Sequence, residues 1–434
     1  MELDWEVRVA RREAVIRTMA VAIVLWLTAA VSQAADGTGV VDPAASREAV
    51  EKLAREAEPW GEEPLLPAGR SAEVPLTKAD AERAAEILRQ RLAAWIERER
   101  AAELRSGGLK IDDLTMPIWY RRFGRSPAGR RPLFISMHGG GGGPPQMNTS
   151  QWQNQQRLYQ PADGIYLAPR APTDTWDLWH QAHIDRFFDR LIADLVAIEG
   201  VDPDRVYLLG YSAGGDGVYQ VAPRMADRFA AAAMMAGHPN ETKPDGLRNL
   251  PFAIWVGGRD AAYDRNSVAR SFGEALDRLA AADPGGYPHE LHVVEGKGHW
   301  MDRADAAALP WMARQVRSLR PDRIVWLQDD VVHDRFYWLA VAQPQARSRL
   351  VARRDGQRVV IEEVSNQGEI TIRLDDRMLD LDEEVTVVAE GRDGEAAREL
   401  FRGRVPRTIA TIAKTLLERS DPKGIFTAEV TVNP

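Results

Sequence analysis

A mostly parallel α/β sheet with helices on both faces, preceded by a helical segment and followed by a smaller, mostly β region, is the fold class this sequence predicts. Three observations lead there. Short apolar runs alternate with amphipathic stretches between 109 and 320, as an α/β domain requires. Several of those runs are unbroken rather than alternating, which suits strands buried on both sides. Beyond 321 the pattern changes to short strands punctuated by Asp355-Gly356, Asn366-Gln367-Gly368 and Arg392-Asp393-Gly394.

Taken in order, the chain opens with Arg8, Arg11, Arg12 and Arg17 ahead of the apolar run 19–31, then Ser32-Gln33-Ala34. That pattern predicts a signal peptide over 1–34, cleaved after Ala34, and export to a periplasm or beyond. The run is short for a membrane span; only an uncleaved segment would bring a membrane into play. Residues 35–108 read as a Pro/Ala/Glu-rich linker with a short helix at 46–58 and a long amphipathic one at 78–105. In the latter Ala84, Ile87, Leu88, Leu92, Trp95 and Ile96 recur at helical spacing, and Gly107-Gly108 stops it. Its expected role is packing on the domain that follows.

Within 109–320 the expected strands are 114–123, 132–137, 164–167, 205–209, 229–235, 251–256 and 290–294. The expected helices are 184–199, 213–225, 266–282 and 304–319. Residues 321–434 are expected to form a separate mostly β accessory domain. Its strands fall at 324–327, 335–342, 347–353, 358–364, 369–374, 385–389 and 428–432, with one helix at 407–419.

Composition narrows the function classes. The 434 residues carry 44% hydrophobic and 28% charged side chains, ordinary for a globular protein, and a formal net charge of −8 without a concentrated basic face. That speaks against a nucleic-acid partner. With no cysteine, disulfides and thiolate metal sites are excluded. Oligomeric state is not readable.

The chemistry centres on Gly210-Tyr211-Ser212-Ala213-Gly214, between the apolar run 205–209 and an expected helix. A serine on a strand-to-helix turn, with glycines two residues either side, is the nucleophile-elbow pattern. It puts the amide of Ala213 at a helix N-terminus, where it can hold a developing oxyanion. Upstream, the run 133–137 ends in His138 and then Gly139 to Gly143. Amides of Gly139, Gly140 and Gly141 supply a second set of oxyanion donors, and His138 is expected to brace the loop. A phosphate loop is the rival, but it lacks the G-K-[ST] ending.

A serine hydroxyl needs a base, and the base an orienting carboxylate. Asp260 follows the strand 251–256 in Gly257-Gly258-Arg259-Asp260, with Asp264 as competitor deeper in the loop. His299 follows the strand 290–294 in Glu295-Gly296-Lys297-Gly298-His299. Tyr211, Trp176, Trp179, His180 and His238 are candidate pocket walls. His180 and His183 form H-x-x-H with no third ligand nearby, so no metal is assigned. His289, His292 and His333 have no expected role, and no cofactor is called for.

With those landmarks in place, the region 109–319 resembles the α/β-hydrolase family, specifically the feruloyl esterase, polyhydroxybutyrate depolymerase and phospholipase/carboxylesterase branches among its exported esterases. The motifs carrying the resemblance are His138-Gly139-Gly140-Gly141, Gly210-Tyr211-Ser212-Ala213-Gly214, Gly257-Gly258-Arg259-Asp260 and Gly298-His299, with Val201-Asp202-Pro203-Asp204-Arg205-Val206 ahead of the elbow. The resemblance implies Ser212 as nucleophile, His299 as base, Asp260 as orienting acid and a carboxylic ester as substrate, small or polymeric. A serine peptidase or amidase on the same fold is the alternative. A non-catalytic binding protein on this scaffold is disfavoured by the intact trio. Disulfides common in the feruloyl and depolymerase branches are missing here.

Overall fold

Side-chain alternation along two central strands sets the layering. In β3 (Arg131–Met137) Leu133, Ile135 and Met137 enter one apolar cluster, while Phe134 enters another on the opposite face. In β5 (Val201–Tyr211) Val206 and Leu208 join the first cluster, and Tyr207, Leu209 and Tyr211 the second. A strand's two-residue period forces that split, so both faces of the sheet are covered. The computed structural model describes residues 41–434 apart from 57–59, 62, 65, 366–367 and 392–395. The expected signal segment and parts of two expected turns lie outside the described residues.

The sheet has eight strands in the order β1-β2-β4-β3-β5-β6-β7-β8. Besides β3 and β5 they are β1 (Gly108–Ile111), β2 (Leu114–Phe123), β4 (Gly164–Pro169), β6 (Ala231–Met235), β7 (Phe252–Gly257) and β8 (His289–Val294). β1 and β2 run antiparallel to their neighbours; β4 through β8 are all parallel. This mixed order, with a hairpin at one edge, is the α/β-hydrolase fold.

Preceding it, α1 (Pro43–Arg55) starts with Pro43 at its first position and Asp42 accepting from the Ala44 amide. α2 (Lys78–Arg105) is capped by Thr77, whose hydroxyl accepts from Asp80 N. Its apolar stripe, including Leu88, Leu92 and Ile96, packs with Ala193 of α4 (Ala182–Glu199) and with Ile409, Ile412 and Leu416 of α8 (Ile409–Arg419). The long helix therefore packs on the sheet domain, as expected, and also on the C-terminal region. Among the described residues no helix is long and apolar enough to cross a membrane.

Two expectations for helices are corrected. α3 (Pro145–Leu158) had no sequence counterpart, because the residues it buries are the amides Asn148 and Gln155 rather than an apolar stripe. The helix expected at 304–319 is a 3-10 turn, Ala304–Ala307, and the short α7 (Ala308–Met312). The chain then peels away, with the Arg317 amide donating to Asp204 O and its guanidinium entering a buried charge network. α5 (Ala213–Arg224) and α6 (Arg265–Ala282) fall where expected.

After Pro321 come β9 (Arg323–Leu327), β10 (Arg335–Phe336), β11 (Leu339–Val341), β12 (Arg349–Asp355), β13 (Arg358–Ser365), β14 (Ile370–Leu374), β15 (Val385–Ala389), β16 (Arg398–Gly403) and β17 (Ala428–Val432). They form a five-stranded sheet, β16-β15-β13-β12-β9, and a four-stranded one, β10-β11-β14-β17. The single strand expected at 335–342 is a hairpin turned at Tyr337, whose φ is 54°. The charged β16 was not anticipated. Trp326, Phe336 and Trp338 belong to the same apolar cluster as Leu133 and Phe252, and residues 41–434 form one compact unit.

Buried charges fasten this region to the sheet domain. Asp421 accepts from Arg228 Nη1 at 2.9 Å and Arg317 Nη1 at 2.7 Å, all three side chains being almost fully buried. Burial alone would raise the Asp421 pKa; the two guanidiniums instead hold it well below the usual carboxylate range. Arg419 pairs with Asp227 at 2.6 Å in the same way. Substituting Asp421→Asn removes the carboxylate the two buried cations share, leaving Arg228 only Asp189 and Arg317 only Asp204 as ion-pair partners, and a loss of about 3 kcal/mol in unfolding free energy is expected. Urea titration followed by tryptophan fluorescence measures it; a loss below about 1 kcal/mol would show the pair to be dispensable.

Candidate active site

Four strand ends converge on one rim of the sheet. β5 delivers Ser212, β3 the His138-Gly139-Gly140-Gly141 loop, β7 Asp260 and β8 His299. The elbow is strained: Ser212 has φ 59° and ψ −123°, a region non-glycine residues rarely adopt, at a cost of about 1–3 kcal/mol. The flanking glycines make it possible. A Cβ on Gly210 would lie 2.2 Å from Gly214 O, and one on Gly214 2.2 Å from Met137 O.

Ser212 Oγ lies 3.0 Å from His299 Nε2, and His299 Nδ1 lies 2.8 Å from Asp260 Oδ2. Asp260 is 2% exposed. A carboxylate only accepts, so Nδ1 carries the proton and Nε2 keeps a lone pair toward the serine. Asp264, the competing acid, is exposed at the start of α6 and makes no hydrogen bond to His299. Tyr211 steadies the histidine loop: its hydroxyl donates to His299 O at 2.5 Å and accepts from Met301 N at 3.3 Å.

Of the four expected oxyanion residues, Gly141 has its amide committed, donating to Asn148 Oδ1 at 3.0 Å. Asn148, fully buried, returns a bond from Nδ2 to Gly141 O at 2.9 Å and another to Asp174. Among the described residues the amides of Gly140 and Ala213 have no such partner, and Gly139 lies against Ser212. His138 braces the loop. Nδ1 donates to Gly139 O at 2.6 Å, and Nε2 accepts from the Ala171 amide at 3.1 Å. Burial pulls its pKa down to about 4, helped by nearby Arg170 and opposed by the bond to Gly139.

An open cleft of about 790 Å³ lies over the serine. Gly139, Gly140, Tyr211, Ser212, His299, Trp300 and Arg303 form one side, and Met147, Gln151, Asn154, Gln155, Arg157 and Leu158 of α3 the other. Of the five expected pocket walls only Tyr211 lines it. Trp179 is fully buried beneath, donating Nε1 to His138 O at 2.9 Å. Trp176 is 69% exposed beyond the glycine loop, edge-on to His180. The His180 carbonyl accepts from Arg224, and His238 donates its amide to Asp216 Oδ1 at 2.6 Å. Trp179 thus packs under the glycine loop while Trp176 stays outside it, and α3 takes the wall position. Sequence reasoning missed Asn148, Arg157 and Arg303; the only signal was an amide-rich stretch directly after the glycine loop.

Strand order, strained elbow and hydrogen-bonded trio together make this an α/β-hydrolase-fold protein with a serine-histidine-aspartate arrangement. No family model matches the chain. "Putative esterase NocK" of Nocardia uniformis subsp. tsuyamanensis is 33% identical over 129 residues, a stretch covering 27% of this chain. The chain spans 37%, little more than a third, of that relative. Among solved structures, the poly(3-hydroxybutyrate) depolymerase LpqC from Bordetella parapertussis is 21% identical with a TM-score of 0.37, covering 47% of this chain and 86% of its own. A ferulic acid esterase is 16% identical with a TM-score of 0.34, covering 48% and 96%. At such scores the fold rests on this chain's own strand order.

His138 makes stability pH-dependent. An unfolded histidine takes its proton near pH 6.5 and the folded one near 4, so in that interval the unfolded state binds more protons. Stability conferred by neutral His138 is full above about pH 7.5 and falls by about 3 kcal/mol as pH drops to 4. Urea unfolding at pH 7.5 and 4.5 should show a smaller acid loss in His138→Gln than in wild type. Equal losses would mean that His138 is not the group responsible.

Proposed function

We propose that this protein is a serine hydrolase cleaving a carboxylic ester through an acyl-enzyme. The observation that carries this is the unbroken hydrogen-bond line from Ser212 Oγ through His299 to buried Asp260, beside the amides of Gly140 and Ala213, which have no partner among the described residues.

In that chemistry Ser212 Oγ attacks the ester carbonyl carbon while its proton passes to His299 Nε2. The C=O electron pair moves onto oxygen, and the resulting oxyanion is held by the amides of Ala213 and Gly140. Asp260 keeps His299 in the right tautomer and stabilises the imidazolium. The tetrahedral adduct collapses, the C–O bond to the alcohol breaks, and the alkoxide leaves with the proton from His299. Water then attacks the acyl-enzyme, again giving its proton to His299, and releases the acid and free Ser212. Strain at Ser212 and the glycine contacts hold the hydroxyl at the rim before substrate arrives, so orientation is settled during folding. We further assign the protein to an exported location, on its N-terminal arginines, apolar run and Ala34.

A fluorophosphonate probe is expected to label wild type at Ser212 and leave Ser212→Ala unlabelled; label on another residue would overturn the nucleophile. Ser212→Ala and His299→Ala should each lower kcat on a p-nitrophenyl ester by at least about 10³-fold, and Asp260→Asn by about 10²–10⁴-fold. Turnover of short p-nitrophenyl esters should exceed that of matched anilides; the reverse order would mark an amidase.

A further inference from the structure

Charge in the cleft points to what the ester carries. Building on the hydrolase assignment, we propose that the substrate bears a carboxylate, gripped by Arg157 and Arg303 on the two sides of the cleft.

Among the described residues lining the cleft these arginines are the only permanently cationic side chains, beside His299 and the Tyr211 phenol, and no aspartate or glutamate is among them. That is a local reversal in a chain whose formal net charge is −8. Among the described residues neither guanidinium forms a direct ion pair with a carboxylate. Among the described residues Arg157 makes one side-chain hydrogen bond, a long 3.4 Å contact to Asn154 Oδ1, and Arg303 makes none, its charge acting on the Asp305 carboxylate without a direct pair. The acids nearest Arg303 in sequence are engaged elsewhere: Asp302 pairs with Lys297, and Asp305 turns inward to Tyr159. Gln151, Asn154 and Gln155 add amide groups to the same wall.

The chain segments that carry the two cations are tied to each other. Tyr159 stands two residues after Arg157, at the end of α3, and Asp305 two residues after Arg303. Their buried side chains are hydrogen-bonded to each other. Arg303 itself sits at φ 65°, in the left-handed region, with its carbonyl accepting from Ala306 N at 3.0 Å. A pair of planar guanidiniums suits a carboxylate, which each can grip with two parallel N–H bonds. It also steers anions into a cleft of an otherwise acidic protein. The carboxylate can belong to the acyl or the alcohol half of the ester.

Two matched pairs separate those sources. On the acyl side, the 4-methylumbelliferyl half-ester of adipic acid is compared with its methyl ester; on the alcohol side, 4-acetoxybenzoate with methyl 4-acetoxybenzoate. In one pair the charged member should have kcat/KM about 10-fold above its neutral twin at low salt, mainly through KM. The ratio should fall toward 1 in 0.5 M NaCl and in R157Q/R303Q, and below 1 in R157E/R303E. Both arginines are exposed, so the variants are expected to fold, which circular dichroism checks. Ratios near 1 in both pairs, or a ratio kept in R157Q/R303Q, overturn the carboxylate assignment. If Ser212 is labelled by a fluorophosphonate while the ratios stay near 1, only this inference falls. If Ser212 resists labelling and no pair is turned over, the hydrolase assignment falls and takes this inference with it.

Discussion

The turn at Ser212 depends on backbone approaching backbone where a side chain would not fit. The strand β5 must reverse into α5 within a residue, and it does so packed against Gly214 and the carbonyl of Met137 at the end of β3. With any Cβ at Gly210 or Gly214, either the elbow relaxes or β3 and β5 move apart. Relaxing the elbow withdraws the serine from His299; spreading the strands carries the glycine loop away from the serine. One steric constraint thus sets the position of both Ser212 and the glycine loop beside it.

A layer of positioning groups surrounds that turn, and most of them are buried. His138 and Asn148 hold opposite ends of the glycine loop, one from below through Gly139 and Ala171, the other from α3 through Gly141. Tyr211 ties the histidine loop down, and the bond between Tyr159 and Asp305 fixes α3 to the turn that carries Arg303. Groups of this kind act through others: they preserve distances on the rim without touching a reacting atom. Strain at one residue persists because the surrounding contacts over-determine it.

The C-terminal sheets make a different sort of contact. Their apolar cluster is continuous with that of the main sheet, yet the polar joints within it are arginine-carboxylate pairs, from Arg228 and Arg317 on Asp421 to Arg419 on Asp227. His333 adds another, reaching Asp185 at 2.8 Å beside Arg224. Desolvation offsets much of the attraction in such buried pairs, whereas removing one partner strands the other's charge. α2 completes the arrangement by packing on α4 and α8 together, so the segment ahead of the sheet and the helix near the end of the chain share one core.

By itself the sequence determined the strands and helices whose period is apolar, and the order of the serine, acid and histidine along the chain. Helix 78–105 and strand 114–123 could be read to the residue because hydrophobic spacing and caps are local properties. What only the tertiary structure decided is what lies where strands end. α3 buries amides and so left no apolar trace, Trp179 could not be told from a pocket wall until it was found under His138, and Gly141 looked like a donor until Asn148 claimed its amide. Arg157 and Arg303, separated along the chain, line one cleft, and one buried hydrogen bond joins the segments that carry them. Partner choice between distant polar groups is fixed by packing, and no local pattern of residues encodes it.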